Sequence, residues 1–124
     1  MTQVRLLPAL AALSGALAVA IGAFASHGAA EPARPLLATA GQYLLAHALL
    51  AFICGWSAPR SSILAWAGWT GMAGSLVFAL ALSLIALAGW RFMGAAAPVG
   101  GLLMISAWLL AAFAAFGSRP LLVE

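Results

Sequence analysis

Residues Thr39 to Cys54 read TAGQYLLAHALLAFIC, a run apolar enough to lie in hydrocarbon that still carries a stripe of polar side chains. Thr39, Tyr43 and His47 follow at four-residue steps and Cys54 comes seven residues later. On a helix these four project from roughly one side, and Gln42 borders that side. Lipid tails offer no hydrogen bonds, and a polar group left unsatisfied in hydrocarbon costs several kcal/mol. The stripe must therefore face protein or water, so this helix requires helical neighbours.

The surrounding chain supplies them. Of the 124 residues 66% are hydrophobic and 6% charged, with a mean hydropathy of +1.15, far from the roughly 25% charged composition of soluble domains. Working outward from the central stretch, residues 36–56 form one span, residues 6–25 another, and residues 63–90 and 98–116 two more. A run of about 20 apolar residues at about 1.5 Å each matches a hydrocarbon core of about 30 Å. The expected fold class is all-α, an integral membrane four-helix bundle with short loops, forming one transmembrane domain over residues 1–124.

The first span admits a second reading, because Arg5, an apolar run and Ala23-Phe24-Ala25 before Ser26 also fit a signal peptide with an A-x-A cleavage site. The run is longer than the usual h-region of about 7 to 15 residues, and further spans follow, so retention is expected. His27 to Pro35 is the first connection, with Gly28, Pro32 and Pro35 as breakers. Span three, at residues 63–90, exceeds a perpendicular crossing, and its excess implies tilt or ends in the interface. Trp56, Trp66, Trp69 and Trp90 mark the interfaces, and Pro98 suits a helix start. Trp108 lies deeper than an interfacial belt, so its indole N–H needs an interior partner.

Membrane helices approach closely where side chains are small. Gly15 and Gly22, with Ala11 and Ala18, give the first span such a row. Gly71 and Ser75, followed by Ala79 and Ser83 and flanked by Gly68 and Gly74, give span three another, and Ala107, Ala111 and Ala114 line span four. These faces are expected to pack helix on helix, within one copy or between copies.

Few groups carry chemistry. Five arginines, no lysine and two acids are spread along the chain without a basic patch, which gives nucleic-acid binding no support. One cysteine forms no internal disulfide, and no C-x-x-C pair suggests zinc or redox exchange. His27 falls at an interface, where water or Glu31 satisfies it, whereas His47 lies eleven residues into its span. Their depths differ by about 15 Å of helical rise, too far for one metal with bonds near 2 Å. No metal or cofactor is expected. The chain lacks the G-x-S-x-G and H-E-x-x-H patterns and has no acid within any span, so an enzyme is not expected. His47 is left with two roles, an interhelical hydrogen bond or a proton relay.

Gly22-Ala23-Phe24-Ala25-Ser26-His27-Gly28, Thr39-Ala40 with Gln42-Tyr43 and His47-Ala48-Leu49, Gly74-Ser75-Leu76, and Pro98-Val99-Gly100-Gly101 with Trp108 together resemble the YgdD/YwdK family of small bacterial membrane proteins. The resemblance covers essentially the whole chain. It implies four transmembrane helices, no established activity, cofactor or substrate, and His27, Gln42, Tyr43 and His47 as candidate functional positions. It also argues against cleavage, since the histidine-bearing block would straddle the cut.

Two function classes follow. One is a structural or accessory component of a membrane assembly, whose partners are the lipid bilayer, further copies or other membrane proteins. The other is a small transporter or proton-linked carrier acting as an oligomer, because four helices enclose little space for a solute. The expected location is the plasma (inner) membrane, multi-pass. With four spans both termini share a side, and Arg5, Arg60 and Arg119 fall there against Arg34 and Arg91 opposite. The positive-inside rule then favours cytoplasmic termini. Of two C-terminal reporter fusions, the one active only in the cytoplasm should work; activity of the external reporter alone would reverse the orientation.

Overall fold

The apolar periodicity resolves into four helices in the computed structural model, which describes residues 2–118, with side chains from residue 6 onward. Helix α1 is Thr2–His27, α2 Ala33–Ser57, α3 Ser62–Ala88 and α4 Ala97–Gly117, with short 3-10 turns at Ala58–Arg60 and Arg91–Ala95. All four are long and apolar enough to cross a membrane, and no strand occurs among the described residues. Arg119 and the side chain of Arg5 lie outside the described residues.

Local chemistry sets the helix ends. Pro35 does not break the connection but sits in the first turn of α2, where a backbone N–H has no intrahelical partner to lose. Ser61 caps α3 by accepting from the Leu64 N–H at 3.4 Å. That helix stops at Ala88, short of residue 90, because Gly89 turns left-handed at φ 70°. The Gly89 and Trp90 amides then fold back onto the carbonyls of Ile85 and Leu84 at 3.1 and 3.3 Å, a glycine-terminated helix end. Pro98 opens α4 as expected.

The helices pack in chain order, α1 on α2, α2 on α3 and α3 on α4, while α1 and α3 touch over a short stretch. Glycines set the spacing. A Cβ on Gly41 of α2 would stand 3.0 Å from the Ala18 carbonyl and 3.2 Å from the Gly22 amide of α1. Farther along the same pair, a Cβ on Gly55 would stand 2.7 Å from the Pro8 ring. Between α3 and α4 the fit is closer still: a Cβ on Gly74 would meet the Gly100 carbonyl at 2.8 Å, and one on Gly100 the Gly74 carbonyl at 2.6 Å.

Small residues also fill the interior. Ala18, Ala40, Leu44, Ala79 and Leu82 form one buried cluster, and Leu50, Cys54, Ala67 and Ala107 another. Large apolar side chains such as Leu13, Leu102 and Phe113 point outward, each about two thirds exposed (67%, 66% and 67%), as expected for surfaces solvated by lipid.

Neighbouring glycines on α4 offer a direct comparison. Gly100→Ala must push α3 and α4 apart and should cost about 1 to 3 kcal/mol. Gly101→Ala meets nothing within 4 Å and should be neutral or slightly stabilising. Thermal melting in detergent, followed by helix circular dichroism, reads the difference. Equal melting temperatures would mean that the α3–α4 contact is not made through this backbone.

Candidate functional site

Helix α2 places His47 near its middle, with the ring turned inward and only 4% exposed. Its Nδ1 lies 2.7 Å from the Tyr43 carbonyl oxygen one turn back. On the other side of the ring, the Trp108 Nε1–H of α4 donates to Nε2 at 3.0 Å. A carbonyl only accepts and an indole N–H only donates. The ring therefore carries its proton on Nδ1 and presents a bare Nε2, so one neutral tautomer satisfies both partners.

The bond reaches from α2 to α4 across α3, and the crossing is possible because Gly71 stands beneath it. A Cβ there would lie 3.7 Å from His47 Cδ2 and 3.1 Å from the Ala107 Cβ. Aromatic rings extend the arrangement. Trp108 meets His47 edge-on at 6.0 Å and 74°, Tyr43 stacks near His47 at 6.5 Å and 13°, and Tyr43 tilts onto Phe78 of α3 at 5.2 Å. Three helices thus contribute to one network. Ser75, fully buried beside it on α3, returns its hydroxyl to the Met72 carbonyl at 3.1 Å.

The four candidate positions do not converge. Tyr43 and His47 lie together, whereas Gln42 points away from the bundle and is exposed. His27 is exposed at the end of α1. Glu31, offered by the sequence as its partner, lies instead 3.4 Å from Arg34, whose other nitrogen donates to the Ala29 carbonyl at 3.1 Å. Thr39 donates to the Pro35 carbonyl of its own helix at 2.9 Å. Cys54 is buried against Leu50, Ala67 and Ala107. No group of three or more histidine, cysteine or acidic residues gathers among the described residues.

Of the packing positions, Gly15 lies 3.8 Å from the Ala48 Cβ by its would-be Cβ, while Gly22 meets Gly41 through its backbone. Gly71 and Ser75 are both buried on α3. The functional contact missing from the sequence reading is the pairing of Trp108 with His47. The signal that pointed toward it was the depth of Trp108 together with its donor-only N–H.

Four membrane-length helices, two of them joined through a buried histidine, define a small helical membrane protein. The chain belongs to the family described as "Protein of unknown function (DUF423)", whose sequence profile matches residues 21–101. It is similar to the UPF0382 membrane protein SH2409 of Staphylococcus haemolyticus, 34% identical over 112 residues that cover 86% of this chain and 92% of that protein. It is likewise similar to the UPF0382 membrane protein YwdK of Bacillus subtilis, 33% identical over 113 residues covering 86% and 92%. No solved structure gives a significant match.

Trp108→Phe keeps a smaller aromatic ring at this position and removes the donor, so the α2–α4 link should weaken by about 0.6 to 2 kcal/mol. Detergent unfolding measures that loss. Nitrogen-15 spectra of the His47 ring should show a protonated Nδ1 and an unprotonated Nε2 in the wild type. A proton on Nε2 would contradict the arrangement.

Proposed function

We propose that this protein is a structural or accessory component of a membrane assembly, in which the His47 network fixes the register of three helices. The observation that carries this reading is the double engagement of the imidazole: Nδ1 is bound to the Tyr43 carbonyl and Nε2 to the Trp108 indole. A ring that relays protons needs one nitrogen free to exchange with a path, and here both face fixed partners. The surroundings add support, since buried alanine and leucine clusters lie around the network. The names carried by the relatives describe membrane proteins and state no chemistry.

His47→Gln separates this reading from a proton-linked carrier. An amide still offers a donor and an acceptor but does not titrate near neutral pH. Under the accessory reading, His47→Gln should remain folded and keep the partners that co-purify from native membranes in mild detergent. His47→Leu leaves the Trp108 donor unpaired and should cost about 1 to 3 kcal/mol. A wild-type proton flux in proteoliposomes under a pH gradient, lost in a well-folded His47→Gln protein, would establish the carrier instead.

A further inference from the structure

Gln42 stands on the outward face of α2, one turn before the exposed Ala46 and beside the exposed Leu45, Leu49 and Ile53. It lies six residues inside the expected start of the span at residue 36, about 9 Å below that interface by helical rise. A glutamine side chain does not reach across that distance to the headgroups. The outward hydroxyls of Thr39, Thr70 and Ser106 are satisfied within their own helices, donating to the carbonyls of Pro35, Trp66 and Leu102, while the Tyr43 side chain is turned toward Phe78. The Gln42 amide makes no hydrogen bond to any described residue. A carboxamide facing hydrocarbon without a partner is costly enough that another protein surface should cover it.

We infer that the occupant is a second copy of this chain, paired through α2 about a two-fold axis along the membrane normal. Copies inserted in one orientation carry Gln42 at the same depth, so the axis sets one amide against the other without adjustment. A carboxamide is self-complementary, each N–H donating to the other's carbonyl oxygen, and the pair makes two bonds. Ala46, exposed one turn farther along, lets the two backbones approach within reach. Tyr43 is turned one step around the helix, toward Phe78 of its own copy, and takes no part. The inference deepens the accessory reading by naming one partner of the assembly.

The test is energy transfer between copies of the full chain fused to donor and acceptor fluorescent proteins. They are reconstituted in vesicles of phosphatidylethanolamine and phosphatidylglycerol over a range of protein-to-lipid ratios. Wild type should self-associate, Gln42→Asn should largely retain association, and Gln42→Leu should weaken it roughly 3- to 30-fold. Gln42→Leu replaces a polar group on a lipid-facing surface with an apolar one, so its helix content and melting temperature should not fall. Monomeric wild type at every ratio, or equal association of Gln42→Leu, would overturn the pairing. Because co-purification of other membrane proteins is measured separately, failure of the pairing leaves the accessory reading to its own test.

Discussion

The closest constraint in this protein is backbone against backbone at Gly74 and Gly100. Between membrane helices there is no hydrophobic driving force, because lipid tails are as apolar as leucine, so association depends on close packing and on polar bonds. Dispersion is weak per atom pair and falls steeply with a gap of even half an ångström. Two helices that present glycine to each other recover that attraction along their backbones. The same logic recurs at Gly41 against Ala18 and Gly22, and at Gly55 against Pro8. It also explains the alanine-rich core: bulky side chains would separate the helices, and outside they meet lipid without penalty.

Helix α3 carries the largest share of this design. Gly68, Gly71 and Gly74 follow at three-residue steps, and each serves a different neighbour. A Cβ on Gly68 would meet Leu7 of α1 and Cys54 of α2, one on Gly71 would face His47, Leu50 and Ala107, and one on Gly74 would press on α4. The row drifts around the helix as it ascends, so α3 turns from the α1–α2 side toward α4. Gly71, at the changeover, is where α2 and α4 come near enough for the Trp108 indole to reach the His47 ring. The polar bond thus depends on the glycine contacts, and in return it locks their register, because an N–H···N bond tolerates little sliding.

Much of the fold was legible because hydrocarbon thickness imposes a length and apolar composition imposes a class. Four spans and their order follow from these, and the i+4 row at Gly71, Ser75 and Ala79 is buried on α3. The i+3 row of glycines that makes the closest approaches was less visible, since both rows share Gly71 and only the neighbours decide between them. Pro35 read as a breaker because sequence alone does not reveal that α2 has already begun at Ala33. The partner of His47 was hidden for another reason. Sixty-one residues separate it from Trp108, and periodicity within one helix carries no information on which face of another helix will meet it.

The distribution of polarity bears on function more than any single residue. A path for ions or protons needs polar groups in succession from one surface to the other, with exchangeable positions between them. Here the buried polar side chains among the described residues are few, Ser14, His47 and Ser75. The His47 ring is bonded to the Tyr43 backbone carbonyl and the Trp108 indole, Ser75 is returned to its own helix, and leucine and alanine clusters separate the His47 network from both ends of the bundle. An isolated, mutually satisfied group of this kind specifies which helix faces meet and at what depth, as a polar residue at an otherwise apolar seam sets register in coiled coils. Outward polarity is handled separately: Thr39, Thr70 and Ser106 return their hydroxyls to carbonyls of their own helices, whereas the Gln42 amide makes no hydrogen bond to any described residue. On the accessory reading proposed above, the inward His47 bonds hold the helices of one copy together, and Gln42 is left to meet a second copy.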